Sequence, residues 1–391
     1  MPVINRVADM HGEITAWRRD IHAHPELLYD VHRTAAGVAE KLKAFGCDEV
    51  VTGIGRTGVV GVIRGARKPS GGRSRVIGLR ADMDALPIEE ATNASYTSAT
   101  PGKMHACGHD GHTAMLLGAA KYLAETRNFA GTVAVIFQPA EEGGAGAKAM
   151  IDDGLMTRFG IEQVYGMHNY PGLPVGEFAI RPGPMMAAAD QLVIDIEGKG
   201  GHAARPHMAI DPVLVGAQII NQAQSVVSRN IDPLQAAVVS ICMFHAGTAE
   251  NIIPQTAQLR GTARSFMPEI RDLLEKRLHE LVEGIGRAHG AKAKLTYTRG
   301  YPVTRNHERE TAFAASVAAQ IVGHERVDAN FHPVMGAEDF SFMLEARPGA
   351  FIFIGNGNTA GLHHPGYDFN DEIIPLGTSY WVRLAETALG E

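Results

Sequence analysis

Residues 132–137, Thr-Val-Ala-Val-Ile-Phe, form the stretch that decides the fold class. The run is apolar at nearly every position and shows no alternation of polar and apolar side chains. Such a run is typical of a parallel-sheet strand that is buried on both faces. Short β-branched runs at 59–63 and 76–79, and the helical spacing of 34–45 before Gly46, make strands alternate with helices. The sequence therefore predicts an α/β domain whose mixed, mostly parallel sheet is flanked by helices.

The pattern changes from about residue 186 onwards. The strands predicted there alternate polar and apolar side chains, as expected for strands with one exposed face. Asp211 and Pro212 fit the N-cap and the first position of a helix. The sequence therefore predicts an inserted α+β domain at 186–297, within a discontinuous domain formed by 1–185 and 298–391. Its elements follow the β-α-β-β-α-β order of a ferredoxin-like domain, with strands at 191–197, 237–243, 256–265 and 292–298 and helices that begin at Pro212 and Pro268.

Length, charge and cysteine content narrow the class of protein. A chain of 391 residues is long enough for two domains. The net charge of −7 and the lack of a Lys/Arg run predict no nucleic-acid partner. No apolar run approaches the roughly 18 residues of a membrane span, so no membrane partner is predicted. Residues 1–6 lack a signal pattern and the three cysteines are odd in number, which predicts a cytoplasmic protein.

The segment 105–112, His-Ala-Cys-Gly-His-Asp-Gly-His, places a thiol and three imidazoles within eight residues. Thiolate and imidazole are ligands of zinc and similar divalent ions. A helix predicted to begin near Gly111 favours anions at its start and lowers the pKa of a thiol there, so Cys107 could be a thiolate. A structural cysteine beside a capping His109 is the alternative.

Glu141 and Glu142 follow the apolar run 132–137, at the edge where open α/β sheets place their sites. A pair of glutamates can supply one metal ligand and one proton-transfer base. Two solvated glutamates at the end of a strand are the alternative reading. The adjacent Gly143 and Gly144 favour a site, because small residues let a substrate approach.

Further candidate side chains follow other predicted strands. His168 ends a short strand, and His363 and His364 follow another, so the residues alone do not say which of the last two binds. Asp82 and Asp84 lie on one face of a strand end, where carboxylates can orient metal-bound imidazoles. The alternatives are that His168 is a histidine of the core without a ligand role, and that Asp82 and Asp84 are aspartates of a turn.

At these residues the chain resembles the metal-dependent aminoacylase and carboxypeptidase family. The most similar branch comprises hippurate hydrolases, N-acyl-amino-acid amidohydrolases and indole-acetyl-amino-acid hydrolases. Other branches have His-x-Asp where this chain has Asp82-Met83-Asp84, and Cys107 and the imidazoles would replace the lost ligand. The resemblance extends along nearly the whole chain, through residues 18–26, 82–87, 105–112, 138–144, 200–207, 250–254, 336–341 and 362–363.

The resemblance implies two divalent metal ions per subunit, which could be zinc, manganese, cobalt or nickel. It implies Glu141 as the general base for a metal-activated water and adds Asp84 to the catalytic residues. The implied metal ligands are Cys107, His109, Glu142, His168 and His363.

The resemblance also implies a role for the inserted domain as a lid that mediates formation of a homodimer or homotetramer. His202 would assist catalysis from this domain and reach the active site of another subunit. Asn251 and Arg264 would bind the carbonyl and the carboxylate of the substrate. Arg264 could instead be one more cation on a solvated strand face.

Together, residues and resemblance predict hydrolysis of a small N-acyl amino acid to a carboxylate and a free amino acid. A dipeptidase or aminopeptidase on the same scaffold is the second enzyme hypothesis. A non-catalytic binding protein for acyl amino acids is the third, but such a protein has no need for Glu141 as a base.

Overall fold

A computed structural model describes residues 3–69 and 74–390. The strands along these residues are β1 (Glu49–Ile54), β2 (Gly58–Arg64), β3 (Val76–Asp82), β4 (Thr132–Gln138), β5 (Gln163–Pro171), β6 (Phe178–Ala179), β7 (Gly183–Met186), β8 (Ala188–Glu197), β9 (Gly201–His202), β10 (Ala237–Ala246), β11 (Ile252–Ile253), β12 (Thr256–Ser265), β13 (Lys292–Arg299), β14 (Thr304–Asn306), β15 (Val327–Asp328) and β16 (Gly349–Gly357). The α-helices are α1 (Asn5–Asp9), α2 (His11–Ala23), α3 (His32–Ala44), α4 (His109–Thr126), α5 (Gly146–Asp152), α6 (Leu155–Arg158), α7 (Pro212–Asn230), α8 (Pro268–Ala288), α9 (Glu308–Val322), α10 (Phe340–Ala346) and α11 (Ile374–Ala388).

The largest sheet has the strand order β1-β2-β4-β3-β5-β16-β6-β15. Its centre, β4-β3-β5-β16, is parallel. The strand β2 runs antiparallel to β4, and β6 runs antiparallel to β16. Val133, Val135 and Phe137 of β4 are all fully buried, as the apolar run predicts. Because β3, β4 and β5 are parallel, their carboxyl ends meet at one edge of the sheet, where the candidate ligands lie.

A second sheet has the order β10-β12-β8-β13, and all of its strand pairs are antiparallel. In the order of the chain this is 2-3-1-4, the ferredoxin-like arrangement. The helices α7 and α8 pack against this sheet. Asp211 caps α7 by accepting the backbone N–H of Val213 at 2.8 Å. The predicted fold class, a mostly parallel sheet flanked by helices plus a ferredoxin-like insertion, is confirmed.

The described chain separates into two compact units. The first unit comprises the chain up to Met185, Arg305–His332 and the stretch from Asp339 onwards. The second unit comprises Met186–Thr304 and Pro333–Glu338. The sequence-based bounds of the insertion, 186–297, begin at the same residue but end earlier and omit the short segment before Asp339. Among the described residues, no helix has both the length and the apolar character that crossing a membrane requires.

Candidate metal centre

Cys107 and His109 flank Gly108 at the beginning of α4. Gly108 has a φ of +91° and is the N-cap of this helix. A Cβ at Gly108 would clash with Oδ1 of Asn169, so only glycine fits. The helix therefore begins at His109, two residues before the predicted start at Gly111. The glycine lets the buried thiol and the buried imidazole lie next to each other.

The imidazoles of His109 and His168 are oriented in the same way. Nδ1–H of His109 donates to the backbone oxygen of Asp84 at 2.8 Å. Nδ1–H of His168 donates to the backbone oxygen of Asn169 at 2.7 Å. Nε2 of His168 then lies 3.4 Å from Sγ of Cys107, and Nε2 of His109 is buried without a hydrogen-bond partner. A metal-binding imidazole has this arrangement, because its second nitrogen is held by an acceptor.

The loop of Glu141 and Glu142 is held by a buried carboxylate. Oδ1 of Asp84 accepts the backbone N–H of Glu141 at 2.9 Å, and Oδ2 accepts that of Glu142 at 3.1 Å. The preceding Ala140 has a φ of +54°, a conformation that costs energy and is often found at functional sites. Asp84 thus orients both the glutamates and, through its backbone oxygen, the ring of His109.

The structure separates His363 from His364. His363 has a φ of +61°, and its N–H donates to the backbone oxygen of Ala106 at 2.8 Å. Its Nε2 lies 3.2 Å from Oε1 of Glu142. His364 is exposed, and its Nδ1 accepts the N–H of Gly366 at 2.9 Å. Of the two, His363 is therefore the one that lies beside the other candidate ligands.

The candidate ligand atoms form overlapping groups, each within 4.8 Å. Two of the groups share Sγ of Cys107, and a third contains Glu141. The structure therefore brings together all five residues that the resemblance implied as ligands, along with the implied base. Three of the five groups found among the described residues consist entirely of these six residues: Cys107–His109–His168, Cys107–Glu142–His363 and His109–Glu141–Glu142.

The pKa shifts in this cluster reflect burial and mutual charge. Burial and the negative charges of Glu142 and Glu141 raise the pKa of Cys107 well above its usual range. This direction is opposite to the one that the start of a helix favours, and burial is its first cause. Burial and nearby His112 lower the pKa of His168 well below its ordinary value, so this imidazole is neutral. A neutral imidazole is the form that binds a metal.

His112 and Asp82 adjoin the cluster but are already engaged. Nδ1 of His112 lies 2.6 Å from Oδ1 of Asp82, and Nε2 lies 2.8 Å from Oδ1 of Asn169. Arg80 donates to Oδ2 of Asp82 at 2.6 Å. Burial by itself raises the pKa of Asp82, but His109, Arg80 and His112 hold it well below its usual range. These contacts keep both nitrogens of His112 occupied.

The residues predicted in the inserted domain lie in the second unit. His202, in β9, is exposed and pairs with Ile252 of β11. The backbone oxygen of Asn251 accepts the N–H of Ala203 at 3.1 Å, so Asn251 lies beside the same ribbon. Arg264 lies on β12, half-buried, and burial lowers its pKa.

Comparisons with known proteins identify the relatives of this chain. The sequence profile of Peptidase family M20/M25/M40 matches residues 78–387. The chain belongs to this family. The M20 chain is 44% identical to the hippurate hydrolase of Campylobacter jejuni over 98% of its own length and 99% of the relative's. It is 40% identical to the N-acetylcysteine deacetylase of Bacillus subtilis, over 97% of each chain.

A solved structure supports the same assignment. The Bacillus subtilis YXEP protein, described as a dinuclear metal binding peptidase from the M20 family, matches with a TM-score of 0.83 and 35% identity. The match covers 98% of this chain and 99% of the other. The predicted family is therefore confirmed, and with it the prediction of an amidohydrolase.

Sequence reasoning assigned no role to Arg18 and His22 of the M20 chain, both of which are fully buried. Nδ1 of His22 lies 2.8 Å from Asp110, the neighbour of His109, and Nε2 lies 3.2 Å from Glu90. Arg18 donates to the same Asp110 at 3.3 Å. The two residues are four apart and thus share one face of α2, which was the available signal. Through their ion pairs with Asp110, Arg18 and His22 hold the first turn of α4 against α2.

Proposed function

We propose that this chain is a metal-dependent amidohydrolase that cleaves N-acyl amino acids to a carboxylic acid and a free amino acid. The observation that carries the proposal is the orientation of His109 and His168. Both imidazoles are held at Nδ1 and lie in one ligand group with the thiol of Cys107, and His109 also lies in a group with Glu141. The names of the relatives, hippurate hydrolase and N-acetylcysteine deacetylase, give the substrate class its support.

The cluster fits two divalent ions. Nε2 of His109 is buried without a hydrogen-bond partner, and a bound cation would offset the burial that raises the pKa of Cys107. The mixed sulfur, nitrogen and oxygen donors suit zinc, manganese, cobalt or nickel. When bound, such ions polarise an amide carbonyl and lower the pKa of water. The residues that would hold them are Cys107, His109, Glu142, His168 and His363.

Glu141 supplies the proton transfers in this proposal. Its carboxylate takes a proton from the attacking water and later gives that proton to the leaving amine. Its side chain is largely buried, and N–H of Asp339 lies 3.4 Å from Oε1. Asp84 fixes the backbone of Glu141 and thereby positions the base.

The second unit completes the substrate site in this proposal, as a lid that also forms the subunit interface. His202 from another subunit would donate to the developing oxyanion, and Asn251 and Arg264 would bind the substrate's carbonyl and carboxylate. A homodimer or homotetramer is supported by edge strand β10 and the neighbouring α7, which expose apolar side chains. These are Val213, Leu214, Met243 and Phe244. The free state of all three cysteines supports a cytoplasmic location.

A hydrolysis panel tests the proposal. Protein reconstituted separately with zinc, manganese, cobalt and nickel is incubated with benzoyl-glycine, acetyl-amino acids and unblocked dipeptides, and release of free amino acid is measured. We expect the blocked amino acids to be cleaved with the higher kcat/KM. Preferential cleavage of dipeptides would favour a dipeptidase. Tight binding of blocked amino acids without turnover under any metal would favour a binding protein.

A further inference from the structure

Strained backbone is concentrated around the loop Glu141–Gly144. Seven non-glycine residues among those described have a positive φ. Four of them flank this loop or contact it or its flanks, and a fifth, Arg56, contacts Tyr29, whose hydroxyl is bonded to the loop. Such residues cluster at ligand-binding sites. Asn93 and Arg127 are the other two. The five are Leu28, Arg56, Ala140, Ala145 and His363.

Leu28 and Tyr29 are attached directly to the glutamate loop. The backbone oxygen of Leu28, whose φ is +49°, accepts the N–H of Ala140 at 3.1 Å. The hydroxyl of Tyr29 donates to the backbone oxygen of Gly144 at 2.7 Å. Leu28 is nevertheless 41% exposed. A residue with an exposed apolar side chain is thus held in an unfavourable backbone conformation, hydrogen-bonded to the residue that precedes the proposed base.

Arg56 lies at the tip of the β1–β2 hairpin, with a φ of +77°. Its guanidinium carbon lies 4.1 Å from the centre of the Tyr29 ring. The tip is fixed on both sides, because Gly55 N–H donates to Asp153 at 2.7 Å and the Thr57 hydroxyl donates to the Tyr29 backbone oxygen at 2.8 Å. Arg56 is exposed, and within the described residues its guanidinium forms no hydrogen bond or ion pair.

These three side chains suit an aromatic ligand group. A guanidinium that stacks on one ring can stack on a second ring with its other face. Leu28 adds apolar surface near the same loop, which an aromatic ring would cover and a methyl group would barely reach. Leu28 is bonded to Ala140 and Tyr29 to Gly144, on either side of Glu141, so an amide bound at Glu141 would have its acyl group near this surface. An acyl group is attached directly to that amide.

We propose that Leu28 and Arg56, braced by Tyr29, form the acyl subsite and select aromatic acyl groups over acetyl. The inference rests on the proposed amidohydrolase function and specifies its substrate class. This subsite would let the first unit distinguish one acyl group from another, which neither the metal ligands nor Glu141 can do. Those groups act on the amide, which every N-acyl amino acid shares.

Kinetics of the metal-loaded protein test the subsite. The ratio of kcat/KM for benzoyl-glycine to that for acetyl-glycine is measured for wild type, Arg56→Gln, Arg56→Lys and Leu28→Ala. We expect both Arg56 variants to lower the ratio roughly 3- to 30-fold. Glutamine lacks the positive charge, and the ammonium of lysine has no plane that can stack on a ring. Leu28→Ala should lower it about threefold. The matched controls Arg229→Gln and Leu234→Ala, on exposed residues of the second unit, should leave it unchanged.

An unchanged ratio in Arg56→Gln, or equal losses on both substrates, would overturn the inference. A ligand-binding measurement separates it from the proposed function. Calorimetry with benzoate and acetate needs no turnover, and we expect wild type to bind benzoate more tightly and Arg56→Gln to lose that difference. If wild type hydrolyses neither substrate, the proposed function fails while the benzoate measurement still decides the subsite. Equal affinity of wild type for benzoate and acetate would refute the subsite.

Discussion

The two units bury charged groups in different ways. In the second unit, the buried carboxylate of Asp190 accepts from Arg271 Nε at 3.0 Å, from the N–H of Gly300 at 3.1 Å and from the Tyr297 hydroxyl. In the first unit, the buried Nε2 of His109 has no hydrogen-bond partner. Among the described residues, every buried side-chain polar atom without a hydrogen-bond partner lies in the first unit. The paired charge of Asp190 serves the fold, whereas a buried polar atom without a hydrogen-bond partner calls for an explanation, and beside the thiol of Cys107 a metal ion is the one that fits His109.

Among variants of the first unit, Glu141→Gln should have the largest effect on catalysis. The variant cannot take a proton from water, so we expect kcat on benzoyl-glycine to fall about 10²–10⁴-fold. Bound metal, measured by plasma emission, should stay at the wild-type level. Glu345→Gln, on an exposed glutamate, is the matched control. A rate near that of wild type would remove Glu141 as the base.

Cys107→Ser tests whether the unpaired atoms belong to a metal site. Serine offers a much weaker ligand at the position shared by two of the groups, so we expect metal content and affinity to fall at least tenfold. Metal analysis after dialysis measures the loss. Cys242→Ser, on an exposed cysteine, should keep full metal content. Equal stoichiometry in both variants would exclude Cys107 from the ligands.

Asp190→Asn tests whether the paired buried carboxylate of the second unit serves stability rather than metal binding. Removing this charge leaves Arg271 facing a neutral group in a mostly buried position, which should lower the free energy of unfolding by about 3–5 kcal/mol. Urea unfolding gives this value. Bound metal should be unchanged in the folded variant, because Asp190 serves only the fold of the second unit. If Asp190→Asn lost metal but kept its free energy of unfolding, Asp190 would serve the metal site and not the fold of the second unit.

The pH dependence of stability probes the ion pairs behind the metal cluster. Burial by itself lowers the pKa of His22, but Asp110 and Glu90 raise it to about 9 from the ordinary 6.5. The protonated imidazole therefore stabilises the fold fully below pH 6.5, and this contribution disappears as the pH rises towards 9. Metal-loaded wild type should lose up to about 3 kcal/mol over this range relative to His22→Gln.

Urea midpoints at pH 6 and pH 9 measure this difference. His289→Gln, on an exposed histidine of the second unit, is the control and should follow the wild-type profile. Parallel profiles for wild type and His22→Gln would show that His22 does not change its protonation in this range.

The sequence predicted the second unit in detail because its signals are local. The alternation in β8 and β12, the cap at Asp211 and the prolines that begin α7 and α8 each act within a few residues. The apolar run of β4 likewise predicted a central strand. The boundary of the insertion was less well determined, since Pro333–Glu338 joins the second unit without any regular element.

The chemical groups that this chain can offer also follow from its sequence alone: a thiol, imidazoles and paired glutamates at strand ends. Only the tertiary structure decided which atoms meet. It turned Nε2 of His168 towards Cys107, occupied both nitrogens of His112, and set His363 rather than His364 beside Glu142. These choices depend on contacts between residues tens to hundreds of positions apart, and local periodicity carries no record of such contacts.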